Sequence, residues 1–253
     1  MSDKREREKR REERLNAEAD VQSEDRRKRL IQLGAGAVFL AAIVVAALIV
    51  VSQSGNGGGG TDISDVSQVD SQLKGIPQSG LVLGDPKAKV TLLEFADLQC
   101  PVCKEYSEQV LPQIIDGDVR QGTAKIDFRN FTIIGPQSTT AGAAAPAAGK
   151  QGRGWYFVEL FYRNQGTENS GYITDDFLTA VAKAAGVADI ARWNTDRKSQ
   201  SVLHEVSRTT AQANNLGFTG TPSFATQGPN GLNPIGTPGS AGAIESAIQQ
   251  AGG

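Results

Sequence analysis

Metal-site readings fail first, because the residues they need are scarce. The 253-residue chain holds two cysteines, Cys100 and Cys103, one histidine, His204, and one methionine. Two cysteines and a distant histidine cannot complete a four-ligand zinc site within one chain; two chains would have to share it. Copper likewise lacks a suitably placed His or Met beside the cysteines. No metal and no other cofactor is expected. A strong charge imbalance is also missing. The formal net charge of -2 gives no electrostatic reason to expect nucleic acid as a partner.

What the chain does have is sharply partitioned. Residues 1–29 carry 11 Lys/Arg and 9 Asp/Glu with almost no apolar residues, so this charged cytoplasmic segment cannot bury a core. Leu30 to Val51 is 22 residues without a charge. As an α-helix it would span roughly 33 Å, enough to cross the hydrocarbon of a bilayer. Arg26-Arg27-Lys28-Arg29 precedes it, and no Lys or Arg follows until Lys74. The expected topology is therefore a single-pass membrane protein with its N-terminus inside and its C-terminal part extracytoplasmic. A cleaved signal peptide ending near Ser52–Ser54 is the rival reading. Residues 52–80, rich in Gly, Ser, Gln and Asp, read as a flexible linker. Residues 81–253 are enough for one domain with a good core.

Within that domain, Val90 to Ala96 is a nearly continuous apolar run that suits a buried strand. Asp97-Leu98-Gln99 turns the chain into Cys100-Pro101-Val102-Cys103. Tyr106, Val110 and Ile114 then recur at helical spacing, with Gly117 as a stop. Ala124 to Ile134 alternates as a second strand. The pattern is a βαβ unit with the cysteine pair at the strand's C-terminal end. Helical segments follow: the Ala-rich Ser138–Gly149, a stripe through Trp155, Val158 and Phe161, a helix capped by Thr174, a short one opened by Asp189, and Ser201–Leu216. Thr219–Thr226 and Leu232–Gly236 read as strands, and Gly239–Ala251 as a closing helix.

The cysteine pair carries the chemistry. The thiolate is the nucleophile of disulfide exchange, and a Cys at a helix N-terminus has its pKa lowered by the dipole and free N–H groups. Pro101 fits the first helical position. Cys100, at the cap and exposed, would attack; Cys103, one turn on and shielded, would resolve. A C-x-x-C alone could equally be an inert disulfide or half a metal site. The preceding strand, the amphipathic helix and the exported location select redox chemistry.

Leu93-Glu94-Phe95-Ala96-Asp97-Leu98-Gln99-Cys100-Pro101-Val102-Cys103, with the later Gly220-Thr221-Pro222-Ser223-Phe224, resembles the DsbA-like thiol:disulfide oxidoreductases of the thioredoxin superfamily. The resemblance covers roughly Gly80 to the C-terminus. It implies an α/β thioredoxin-like fold, here preceded by the transmembrane helix, with a helical insertion over about residues 137–217. Pro222 matches the family's cis-proline beside the redox pair, and Thr221 would offer its backbone to an extended substrate. Glu94 matches an acid under the active site; on a buried strand its pKa should rise, and it could exchange a proton with Cys103. The alternative for Glu94 is a paired structural acid. Asp97 fits the pattern without an assigned role. Val102 departs from it: strongly oxidising members have His at this position, and Val offers the thiolate no hydrogen bond or charge. The resemblance implies an oxidase that passes the Cys100–Cys103 disulfide to exported cysteine-containing proteins and is reoxidised by a membrane partner of the DsbB or VKOR type. An extracytoplasmic reductase and a non-catalytic membrane-anchored binding protein are the other readings.

Overall fold

The computed structural model describes residues 62–253. The charged segment 1–29, the apolar span 30–51 and the first part of the expected linker lie outside the described residues. Among the described residues no helix is long and apolar enough to cross a membrane.

The linker expected over 52–80 does not hold for its described part, residues 62–80. A helix, α1 (Val66–Leu73), buries Val69 and Leu73, one turn apart, and strand β1 (Gln78–Ser79) follows. Only every third or fourth residue of this polar stretch faces the core, which average composition conceals. Its end is tightly seated: a Cβ at Gly149 would lie 2.8 Å from the Gly80 carbonyl, and the Trp155 indole donates to the Leu81 carbonyl at 2.8 Å.

Six strands form one sheet in the order β1-β2-β4-β3-β5-β6. β2 is Val82–Leu83, β3 Val90–Ala96, β4 Ala124–Asn130, β5 Ser223–Gly228 and β6 Gly231–Gly236. β3 and β4 run parallel, joined by a helical crossover, while β5 lies antiparallel to β3 on its other side. β3 is therefore central, as its unbroken apolar character requires. β4 alternates buried and half-buried residues. It stops at Asn130, short of the expected Ile134: Phe131 N–H still reaches the Ala96 carbonyl of β3, but the amides after it are used elsewhere. Thr132 N–H bonds the Thr210 hydroxyl at 3.1 Å, and those of Ile133 and Ile134 bond the Asp97 carboxylate.

The crossover helix α2 comprises two α-helical stretches, Pro101–Glu105 and Leu111–Ile114, each followed by a π-helical one, Tyr106–Val110 and Ile115–Val119. Pro112 has no amide hydrogen to continue the ordinary ladder, and just before it Leu111 N–H reaches back five residues to the Tyr106 carbonyl. The helix also runs through Gly117, the expected stop, which lies inside the second π-helical stretch.

Five helices fill the segment between β4 and β5, where the insertion was expected: α3 (Pro136–Gly149), α4 (Gly154–Arg163), α5 (Asp175–Ala184), α6 (Ile190–Asp196) and α7 (Gln200–Asn215). Thr174, Asp189 and Ser199 cap α5, α6 and α7 through side-chain oxygens. α3 and α4 are buried nearly all round and form the centre of the insertion. α8 (Ala241–Gly252) closes the domain against β3 and β5. The sheet separates two apolar layers. Leu92 and Ala96 of β3 join the large core with α2, α4 and α8, whereas Leu93 and Phe95 pack with Ala213 of α7 and Phe218. By strand alternation Glu94 faces the large core.

Candidate active site

Strand β3 ends at Ala96 and α2 begins at Pro101, so the fold delivers Cys100 to the C-terminal edge of the central strand. Cys100 is the N-cap of α2, in extended conformation, and its sulfur accepts from the Cys103 amide at 3.4 Å. Pro101 takes the first helical position, where a missing amide hydrogen costs nothing. Opposite, the Thr221–Pro222 bond is cis, and the Thr221 carbonyl accepts from the Cys100 thiol at 3.4 Å. Residues 121 positions apart in sequence thus meet at one sulfur.

The two thiols are driven in opposite directions. The Cys103 thiol, hydrogen-bonded to the Cys100 sulfur, does most to bring the Cys100 pKa down to about 7. Burial opposes this; the Thr221 side chain and the backbone at Cys103 and Val102 assist it. Burial pushes Cys103 well above the ordinary thiol range, and the hydrogen bond to Cys100 and the charge there push it further. One expectation needs correction: Cys100 is not exposed. Only 4% of its surface is accessible, because the sulfur is turned toward Thr221 rather than outward. Cys103 is fully buried. Val102 is half-buried against the core.

Glu94 is fully enclosed, and neither carboxylate oxygen has a hydrogen-bond partner. Burial, and secondarily the charge of Glu159, raise its pKa to about 8. His204 lies exposed on α7.

The turn between β3 and α2 is held by residues that sequence reading did not assign. Asp97 is fully buried. One carboxylate oxygen accepts from Gln99 N–H at 2.9 Å, the other from Ile133 and Ile134 N–H at 2.8 and 3.0 Å. It therefore pins the loop after β4 to the redox turn. Gln99 donates to the Ser138 hydroxyl and accepts from Asn169 N–H. Gln165 donates to the carbonyls of Leu98 and Cys100 at 2.7 and 3.1 Å. The buried Tyr162 hydroxyl donates to the Asp97 carbonyl. Tyr106 of α2 stacks on Phe224 of β5, with ring centroids 5.7 Å apart, and its hydroxyl bonds the Pro238 carbonyl. Glu159 was the one legible omission. It falls on the apolar face with Trp155 and Tyr162, at positions i, i+4 and i+7, and a lone carboxylate there is a signal. Nothing in the sequence marked Gln165. A separate cleft, bordered by Ile63, Asp70, Arg153 and Tyr156, contains neither cysteine.

A family model described as thioredoxin matches residues 77–245, which include the cysteine pair and the Thr221–Pro222 bond. The chain is 32% identical over 155 residues to a probable disulfide bond formation protein D of Bacillus cereus, covering 60% of this chain and 71% of that one. The chain belongs to the DsbA-like branch of the thioredoxin family. The oxidised crystal structure of BdbD from Bacillus subtilis superposes with a TM-score of 0.60 at 22% identity, covering 70% of this chain and 96% of that one. A thioredoxin-like oxidoreductase from Silicibacter pomeroyi gives a TM-score of 0.55 at 28% identity, covering 72% and 96%. The chain is accordingly a thiol–disulfide oxidoreductase with an α/β thioredoxin-like fold.

Proposed function

We propose that this DsbA-like enzyme is an extracytoplasmic oxidase, anchored by residues 30–51, that transfers the Cys100–Cys103 disulfide to exported cysteine-containing proteins. The observation that carries the reading is geometric: the Cys100 sulfur caps α2 between the Cys103 amide and the Thr221 carbonyl of the cis Thr221–Pro222 bond, an arrangement that drives the two thiols, one helical turn apart, in opposite directions. A substrate thiolate attacks the Cys100 sulfur; the Cys100–Cys103 bond breaks, and Cys103 leaves with the electron pair. A buried thiolate there is unstable, so it takes a proton, and Glu94 is the buried acid assigned to give it. A second substrate thiolate then attacks the substrate sulfur of the mixed disulfide. Cys100 leaves as a thiolate, held by the Cys103 amide. The substrate ends with a disulfide, and the enzyme with two more electrons and a dithiol. Thr221 and Pro222 hold the incoming segment beside Cys100. A membrane partner of the DsbB or VKOR type returns the pair to the disulfide.

The redox state of the pair in growing cells tests the direction. Rapid acid quenching and thiol alkylation should find Cys100 and Cys103 mostly as the disulfide. A mostly dithiol pool would overturn the oxidase reading in favour of the reductase, which has one feature on its side: Val102 gives the Cys100 thiolate no hydrogen bond or charge.

A further inference from the structure

Glu159 has no part in the steps above, yet it is a fully buried carboxyl on α4 directly behind the redox helix. Ser107 of α2, one turn beyond Cys103, donates its hydroxyl to Glu159 Oε1 at 3.1 Å; Oε2 has no partner. With the two free oxygens of Glu94, three of the four carboxylate oxygens in this part of the core are unsatisfied. Buried acids kept for structure are normally fully hydrogen-bonded, since an unpaired buried charge is costly. Two that act on each other's charge and stay incompletely paired are suited to holding a proton between them.

The surroundings supply a route outward. Glu94 pairs across the sheet with Phe128, whose ring meets Trp155 and Tyr162, about one turn to either side of Glu159, and the charges of Glu94 and Cys103 both act on the Tyr162 hydroxyl. Glu159 faces Ser107 and Glu108 of α2, and Arg163 one turn along its own helix. The Arg163 guanidinium is committed to Gln68 and Gln72 of α1, leaving its Nε without a partner. Glu108 is partly exposed; Lys104 and Asp65 also face it. α8 offers Ile244 and Ile248 to the same core and no charge.

We propose that Glu159 is a positioning residue that forms, with Glu94, a two-carboxyl proton relay between Cys103 and the solvent-facing Lys104–Glu108 edge of α2. It rests on the assignment of Cys103 as leaving thiol and Glu94 as its proton donor. The pair holds protons in the disulfide state. When Cys103 leaves, its sulfur takes the Glu94 proton. Glu94 takes one from Glu159, and Glu159 is reprotonated from water at the Glu108 edge. Reoxidation runs the same transfers in reverse, so one proton passes inward each time Cys103 is released and one outward each time the disulfide re-forms, and no bond other than O–H and S–H is made or broken in the relay. Burial lifts the Glu159 pKa to about 7 against the pull of Arg163, and that of Glu94 to about 8, so both carboxyls exchange protons near neutrality.

The test is single-turnover oxidation of a dithiol peptide by the full-length enzyme in detergent, acid-quenched, from pH 5 to 9. Glu159→Gln should slow Cys103 release about tenfold at pH 7, part of the ~10²–10⁴ that a positioned acid–base group supplies. Glu159→Asp should recover most of that rate. The Glu94→Gln/Glu159→Gln double variant should be no slower than Glu94→Gln alone, because Glu159 acts only through Glu94. The Cys100 thiolate titration, read by ultraviolet absorbance, should not move. Ser107→Ala provides a milder variant: without its hydroxyl the Glu159 carboxylate is less stable, and the rate profile should move to higher pH. Wild-type profiles for Glu159→Gln and Ser107→Ala, or losses that multiply with Glu94→Gln, would overturn the relay. An unaltered rate in Glu94→Gln would instead refute the role of Glu94 on which it rests.

Discussion

Replacing Glu94 by Gln should change how stability depends on pH, and the sign follows from the burial of the carboxyl. In the folded protein its pKa stands at about 8 against an ordinary 4.5. Between those values the unfolded chain has released the proton and the folded chain still holds it. Stability therefore falls as pH rises through this window, and the whole loss is present above pH 8. The difference corresponds to about 5 kcal/mol at about 1.4 kcal/mol per pKa unit. The glutamine variant cannot titrate there. Below about pH 4.5 the two proteins should be similarly stable; at about pH 8.5 the variant should be the more stable by several kcal/mol, or roughly 10–20 °C in Tm. Trp155 and Trp193 are the two tryptophans and both are fully buried. Their fluorescence therefore reports unfolding of the domain even with residues 1–61 attached. Both proteins should be compared as dithiols, so that Cys100 contributes equally to each curve. Parallel curves across the whole range would refute the argument, since they would mean that Glu94 ionises in the fold as easily as in the unfolded chain.

Cys103→Ser should accumulate mixed disulfides through Cys100, visible by non-reducing electrophoresis, while Cys100→Ser should not; equal trapping by both would reverse the assigned roles. Val102→His should lower the Cys100 pKa and make the disulfide more oxidising, by about 30 mV for each 1.4 kcal/mol of thiolate stabilisation. An unchanged potential would mean that the side chain at 102 does not act on the sulfur. A tag fused after Gly253 should be cleaved by protease added to intact cells, with the protein kept in the membrane fraction. A shorter soluble form would favour cleavage near Ser52–Ser54.

Apart from Thr221 and Pro222, which the family resemblance placed beside the redox pair, the features that sequence reading located are those with short-range signatures. β3 announced itself as a continuous apolar run from Val90 to Ala96. Thr174 and Asp189 announced helix starts because a capping side chain acts on an amide three residues on. The raised pKa of Glu94 followed from a carboxylate on a buried strand. What escaped was set by partners far along the chain. Asp97 takes amides from positions 36 and 37 residues away, and Gln165 reaches carbonyls 65 and 67 residues away. No local pattern specifies such pairings. α1 was hidden differently: two apolar contacts one turn apart are enough to seat eight residues when the remaining positions face water. The exposure expected for Cys100 failed because helix position alone cannot show what lies opposite, and Thr221 comes from the far side of the insertion.

How oxidising the pair is follows from its thiolate, and the arithmetic separates speed from driving force. At pH 7 a thiol with a pKa of about 7 is half ionised; at the ordinary value of 9.0 only about 1% would be, so Cys100 offers about 50-fold more thiolate. The corresponding stabilisation of the dithiol at pH 7 is only about 0.4 kcal/mol, or about 9 mV. Cys103, raised and neutral, adds nothing. Val102 adds no donor. The site is therefore arranged for rapid exchange more than for strong oxidation, and its potential at pH 7 should lie nearer the about −270 mV of thioredoxin than the about −120 mV of DsbA. Equilibration with glutathione redox buffers measures it. The same titration should show a change of slope near pH 7, from two protons per two electrons below to one above, as Cys100 ceases to bind a proton in the reduced state. A potential near −120 mV, or a straight line from pH 6 to 8, would refute the account. With so little drive stored in the pair itself, the proposed oxidase role would require a reoxidation partner that keeps withdrawing electrons, and on that proposal losing the partner should leave Cys100 and Cys103 as the dithiol.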